Sequence, residues 1–264
     1  MPFVERPHAS LYYEVCGEGP ALVFAHGAGG NTLVWWQQVP IFARHYRVLT
    51  FDHRGFGRSR CDAGFEQGRH FADDLAAVLD DAGIARAALV CQSMGGWTGM
   101  QFAHAHRERV AALVLSGTPA GVMTPKVLQA LAAIGTAAAQ LERTPAWDDA
   151  HPALAADVFK RDPERAFLYA QIAAINPPLA LAKLALHESM TEPAALAGWA
   201  IPTLLVCGEH DRLFAPEILA DVASAIPGAR FTSLPYAGHS PYFETPGEFN
   251  RVVAEFFAQH WPRA

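Results

Sequence analysis

The sequence predicts an α/β protein: a doubly wound, mostly parallel sheet with a helical cap inserted after the sixth strand. Three observations predict it. Short runs that are apolar on both faces recur along the chain, as strands buried in a parallel sheet require. Longer segments of helical periodicity alternate with them, which implies right-handed crossovers. One stretch, 120–200, breaks the alternation with helix-like runs alone.

Taken in order, residues 11–15 form the first expected strand. Residues 21–25 are a continuous apolar run ending at His26-Gly27, and 47–51 are another ending at Asp52. Residues 87–91 are followed at once by Gln92-Ser93-Met94-Gly95-Gly96, and 110–115, 203–207 and 230–234 complete the set. A helix is expected at 71–82, where Phe71, Leu75, Val78 and Leu79 share a face while Asp73, Asp74, Asp80 and Asp81 take others; Gly83 supplies the stop. Further helices are expected at 94–104, 216–225 and 246–259. Inside 120–200 the helix candidates are 127–141, 155–159, 163–175 and 179–189, punctuated by prolines. The chain therefore divides into a core, 1–119 and 201–264, and a cap, 120–200.

Composition excludes several classes. With 51 % hydrophobic and 17 % charged residues, the chain is neither disordered nor collagen-like. Its 20 Lys and Arg against 26 Asp and Glu include no basic run, so the electrostatic footprint of a nucleic-acid binder is missing. Cys16, Cys61, Cys91 and Cys207 form no C-x-x-C pair, which argues against zinc and thioredoxin-like chemistry. The first fourteen residues carry Glu5, Arg6 and His8 and no apolar signal region, and 127–141 is too short and polar to span a bilayer. A cytoplasmic protein with reduced thiols is expected, with no membrane association, metal or cofactor.

Cys91-Gln92-Ser93-Met94-Gly95-Gly96 has the form small-x-Ser-x-Gly-Gly between an expected strand and an expected helix. That is the context of a nucleophile elbow, a sharp turn that lifts a serine hydroxyl above a strand end. The helix N-terminus beneath it favours developing negative charge. A serine needs a base at neutral pH, and the base needs an orienting carboxylate. His239, in Ala237-Gly238-His239-Ser240-Pro241, follows the run 230–234; Asp211, in Gly208-Glu209-His210-Asp211, follows the run 203–207. Ser93, Asp211 and His239 thus all leave carboxyl ends of strands, where open α/β sheets gather their ligands. His26 opens a glycine-rich turn, which suits a structural role, and His104 and His106 face different sides of a helix, so they do not form a metal pair. His26-Gly27-Ala28-Gly29-Gly30 can aim backbone N–H groups at the cleft, with Ala28 and Met94 as the expected oxyanion donors.

At this point the chain resembles the α/β-hydrolase family, in its serine-hydrolase branch with a helical cap. His26-Gly27 matches the family's oxyanion turn, Asp52-His53-Arg54-Gly55-Phe56-Gly57-Arg58-Ser59 its structural D-x-R-G-x-G-x-S loop, and Ser93 its elbow serine. Gly208 with Asp211 matches its acid turn, and Gly238-His239 with Glu244-x-Pro246 and Phe249 its histidine loop. The chain is similar to enol-lactone hydrolases, carboxylesterases and meta-cleavage-product hydrolases. The resemblance implies a nucleophilic Ser93, a base His239 and an acid Asp211. Relatives that dehalogenate haloalkanes or open epoxides carry aspartate at the elbow, so serine here disfavours both.

The expected activity is hydrolysis of a small, mostly apolar ester or lactone through an acyl-enzyme. C–C bond hydrolysis of a meta-cleavage-type diketone, cofactor-free haloperoxidase or perhydrolase chemistry, and a non-enzymatic ligand sensor stand as alternatives. Gly27, Trp36, Trp97, Leu213 and Ser240 are the expected pocket residues. A substrate carboxylate would require a cap cation, and Lys126, Arg143, Lys160, Arg161, Arg165 and Lys183 are the candidates. The partner expected is a small-molecule ester, lactone or ketone, and a homodimer is compatible with the sequence.

Overall fold

The computed structural model describes residues 2–141, 152–178 and 181–262. Its strands are β1 (Phe3–Arg6), β2 (Ala9–Cys16), β3 (Ala21–Ala25), β4 (Arg47–Phe51), β5 (Arg60–Cys61), β6 (Ala87–Gln92), β7 (Val110–Ser116), β8 (Thr203–Gly208) and β9 (Arg230–Leu234). They form one sheet in the order β1-β2-β4-β3-β6-β7-β8-β9, with β5 beside β2. The strands from β4 across to β9 are parallel, while β1, β2 and β5 form an antiparallel margin. Side chains alternate between two apolar layers. Val23, Leu89, Leu113 and Leu205 face one core, and Leu22, Phe24, Val90, Val114 and Val206 face the other. Both faces are buried, so each central strand reads as an unbroken apolar run.

The helices are α1 (Val39–Phe42), α2 (Phe71–Asp81), α3 (Met94–Ala105), α4 (Pro125–Leu141), α5 (Val158–Arg161), α6 (Pro163–Ala173), α7 (Pro216–Ala225), α8 (Pro241–Glu244) and α9 (Pro246–His260). Leu75 and Leu79 of α2, Phe102 of α3 and Leu219 and Val222 of α7 fill one layer. Phe249, Val253, Phe256 and Phe257 of α9 fill the other.

Two expectations are corrected. The helical insertion follows β7, the seventh strand in chain order and not the sixth, because β1 and β5 add two short marginal strands to the five apolar runs that precede it. Segment 179–189 is not one helix. Its described part forms two 3₁₀ turns, Leu181–Leu184 and Leu186–Ser189, separated by Ala185 in a left-handed conformation, φ +45°. Asp74 lies on α2, off the stripe of Leu75, Val78 and Leu79. It is buried and takes two 2.6 Å hydrogen bonds from the Arg54 guanidinium, a bidentate pair that anchors the 52–59 loop on α2.

Asp52 completes that anchoring by accepting from Thr32 N at 2.6 Å and Arg58 N at 2.8 Å. The inserted segment is fastened to the core as well. Asn31 Nδ2 donates to Ile172 O at 3.0 Å, Arg165 Nη1 to Glu244 O at 2.6 Å, and Arg212 Nη2 to Leu154 O at 3.0 Å. No described helix is long and apolar enough to cross a membrane.

Candidate active site

The sheet reverses its winding at β3, whose neighbours are β4 and β6. Register then dictates proximity: Ala25 of β3 pairs with Cys91 of β6, so two residues onward Gly27 meets Ser93. A Cβ on Gly27 would lie 2.8 Å from Ser93 Cβ. This is the crevice at a topological switch point where α/β sheets bind ligands.

Ser93 sits between β6 and α3 at φ +48° and ψ −117°, a conformation costly to any residue with a side chain. The turn fits only because its neighbours are small. A Cβ on Gly95 would collide with the Ala25 carbonyl, and one on Gly96 with the Thr118 side chain. Cys91 stands two residues before the serine, and its Sγ packs where a side chain on Gly99 would begin. Gly99 therefore makes the room that a larger residue at this elbow position needs.

The structure brings the three expected residues together. His239 Nε2 is 2.9 Å from Ser93 Oγ, and His239 Nδ1 is 2.9 Å from Asp211 Oδ2. The other Asp211 oxygen accepts from Leu213 N at 2.8 Å and Phe214 N at 2.9 Å. A carboxylate so held can only accept, so Nδ1 carries the proton and Nε2 is left to receive one from serine. Asp211 and His239 are buried while Ser93 is half-buried, so the hydroxyl is the end of the chain that meets solvent. Glu209, the other acid of this turn, is exposed.

Gly30 N donates to Gly27 O at 3.0 Å, closing a turn around Ala28 and Gly29. Met94 is the first residue of α3, and the leading N–H groups of a helix have no intrahelical acceptor. Asn176 braces the turn from the inserted segment: its Nδ2 donates to Gly29 O at 2.7 Å, and its Oδ1 accepts from Gly57 N at 2.8 Å. Ala28 and Met94 also belong to a small apolar cluster with Phe56, Phe71, Leu184 and Leu186.

Of the expected pocket residues, Gly27 adjoins the serine and Leu213 lies half-buried beside Asp211. Trp97 is buried on α3 against Gly121. Two are corrected. Trp36 is 47 % exposed, because Trp35 next to it takes the inward position against Phe24 and Tyr242, and adjacent residues of a 3₁₀ turn point apart. Ser240 is wholly buried beneath the histidine loop, beside Tyr169 and Tyr242.

Among the cap cations, Lys160 and Lys183 are exposed, and Lys126 lies 4.0 Å from Asp221. Arg161 donates to Tyr236 O, and Arg165 bonds Asp162 and Glu244 O. Arg143 falls outside the described residues. A surface groove of about 990 Å³ lies elsewhere, lined by Tyr13, Val15, Arg47 and Asp81, and includes none of Ala28, Ser93, Met94, Asp211 and His239. Hydroxyl geometry, not volume, locates the site.

Several supporting residues escape sequence inspection. Gly117, at φ +54°, lies under His239, where a Cβ would come 2.7 Å from its carbonyl oxygen. A glycine directly after a strand was its only signal. His26 and His53 form a buried pair: His26 Nε2 accepts from His53 N at 3.0 Å, and His53 Nε2 lies 2.8 Å from Thr98 Oγ1. Burial holds both imidazoles below the usual histidine range, and His26 beside it pushes His53 further down. Burial pushes the Cys207 thiol up to about 12, so it stays protonated next to the acid turn.

Comparison with known proteins bears on the fold and the family. A curated relative from Azorhizobium caulinodans, named "Putative carbamate hydrolase RutD", is 28 % identical over 97 % of this chain and 98 % of its own. A thermophilic esterase from Thermogutta terrifontis superposes with a TM-score of 0.82 at 28 % identity, covering 96 % of this chain and 94 % of its own. The enol-lactonase from Burkholderia xenovorans LB400 gives 0.78 at 27 % identity, covering 97 % and 99 %. The alpha/beta hydrolase family model matches residues 22–252. With that match over most of its length, on a sheet whose switch point gathers serine, histidine and aspartate, the chain belongs to the alpha/beta hydrolase family.

Proposed function

We propose that the protein is a serine hydrolase that cleaves a small, uncharged, mostly apolar carboxylic ester or lactone through an acyl-enzyme. The observation that carries this reading is the hydrogen-bonded chain Ser93–His239–Asp211 with its serine on a strained elbow. Ser93 Oγ attacks the carbonyl carbon while His239 Nε2 takes its proton. The negative charge that forms on the carbonyl oxygen is received by the N–H groups of Ala28 and Met94, the second reinforced by the α3 N-terminus. His239 then gives its proton to the leaving oxygen, and the acyl group stays on Ser93. A water attacks that ester with His239 again as base, and Ser93 leaves as the hydroxyl. Asp211 holds the ring tautomer and stabilises the imidazolium without taking its proton.

The apolar cluster beside Ala28 and Met94 supports an apolar acyl group. The outward or internally bonded placement of the described cap cations supports an uncharged one.

The test is a panel of p-nitrophenyl esters of short acids, a γ-lactone, an aryl carbamate and a vinylogous diketone, with purified protein. Many equivalents of product from the short esters or the lactone, lost in Ser93→Ala, is the expected result. Faster cleavage of the carbamate or the diketone would move the leaving-group assignment. At most one equivalent from any substrate would make the protein a binder.

A further inference from the structure

Glu244 has no place in the chemistry above, yet it is 5 % exposed and bonded on both oxygens to backbone amides. Oε1 accepts from Gly238 N at 2.9 Å and from Ser240 N at 3.3 Å, the amides on either side of His239. Oε2 accepts from Ala155 N at 2.8 Å, in the inserted segment. That segment lies directly on the histidine loop: a Cβ on Gly238 would run into Ala155 N and Leu154 C. The Leu154–Ala155 peptide is gripped at both ends, its N–H by Glu244 and its carbonyl by Arg212, the residue after Asp211. One carboxylate thus joins the loop of the base to the segment that covers it, and one peptide joins that segment to the loop of the acid.

We propose that Glu244 is a positioning residue whose ionised carboxylate holds His239 within reach of Ser93 by clamping the two flanking amides and the overlying Leu154–Ala155 peptide. The proposal rests on the serine-hydrolase reading above. Three N–H donors converge on two oxygens, so the ionised form fits and a protonated one turns an O–H toward a donor that cannot accept it.

The surroundings decide how firmly the charge is held. Arg161 of α5 faces it from the inserted segment, and Arg165 of α6 donates to its main-chain carbonyl. The Tyr169 and Tyr242 hydroxyls adjoin it from α6 and α8, and His239 is the ionisable group of the loop it clamps. Burial pushes the Glu244 carboxyl up to about 7 against the pull of its three amide bonds and of Arg161. The Glu244 carboxylate is then lost as the medium acidifies, a second ionisation beside the one that general-base catalysis itself requires.

The experiment is the rate of covalent labelling by a fluorophosphonate between pH 4.5 and 8.5, over the range in which near-ultraviolet circular dichroism stays native. The wild type is expected to lose labelling rate toward acid with a log–log slope approaching two. Glu244→Gln is expected to label at least tenfold more slowly at pH 8 and to show a slope of one. Glu248→Gln, on the exposed face of α9, is expected to match the wild type in both. A wild-type slope of one throughout overturns the proposal without any variant, as does a folded Glu244→Gln that labels at the wild-type rate. Absence of labelling in the wild type overturns the serine-hydrolase reading and the proposal together, whereas normal labelling with no Glu244 effect overturns the proposal alone.

Discussion

Acid is expected to destabilise this fold through the His26–His53 pair, and His53→Phe isolates the effect. An unfolded histidine takes a proton near pH 6.5. Both rings are held below that in the folded chain, so on acidification the unfolded state binds two protons that the native state refuses. Stability is full above about pH 6.5 and falls below it, by about 1.4 kcal/mol per pH unit for each ring. Glu244 acts in the opposite sense. Its carboxyl is raised from the usual 4.5 to about 7, so between those values the native state binds a proton that the unfolded chain does not. Between about pH 7 and 4.5 Glu244 therefore offsets part of the loss that the two rings cause. His53→Phe keeps the aromatic contacts with Phe51 and Phe71 and the backbone bond to His26, loses the Thr98 contact, and removes one titrating ring. Its absolute stability is expected to be lower, but its pH dependence flatter by about 1.4 kcal/mol per unit. Burial also lowers His70 and His104, and these cancel in the difference between the two proteins. Urea unfolding followed by circular dichroism from pH 5 to 7.5 measures both slopes. Equal slopes would refute the reasoning, since one buried neutral imidazole cannot be removed without removing its proton linkage.

Other consequences are more local. Asp211→Asn is expected to cost on the order of 10⁴ in kcat through the wrong hydrogen-bonding partner for His239, while Glu209→Gln, on an exposed side chain, costs little; steady-state kinetics on a p-nitrophenyl ester separates them. Ser93→Gly is expected to abolish turnover yet raise Tm by about 2–4 °C, because relief of roughly 1–3 kcal/mol of backbone strain exceeds the entropy glycine adds to the unfolded chain. A lower Tm would place the elbow's strain elsewhere. Asn176→Ala frees the Gly29 carbonyl and is expected to lower kcat by about tenfold to a hundredfold with little change in KM, as a misplaced oxyanion turn would. A rise in KM alone would assign Asn176 to substrate binding.

Most of the sheet is legible in the sequence because its central strands are apolar on both faces; Arg47–Phe51 and Arg230–Leu234 are bounded to the residue. Phe3–Arg6 is not, since a four-residue edge strand reading Phe-Val-Glu-Arg is too short for an apolar run or an alternation to stand out. The 3₁₀ turns around Ala185 read as a helix because helical periodicity says nothing of one residue in a left-handed conformation. The burial of Asp74 is not legible, because its partner, Arg54, is remote in sequence. The placement of Ser93, Asp211 and His239 at one edge is legible for a topological reason: each leaves the carboxyl end of a parallel strand. Asn176 and Glu244 are not, because their significance lies in backbone atoms of other loops, which no pattern of residue types encodes.

Everything here depends on Ser93 being the group that is acylated. Brief mixing with a p-nitrophenyl ester, acid quenching and mass spectrometry of the peptides tests that most directly. The account predicts one acyl group per chain, carried on the peptide containing Ser93 and missing from Ser93→Ala. An acyl group on any other residue, or an undiminished adduct in Ser93→Ala, would contradict it.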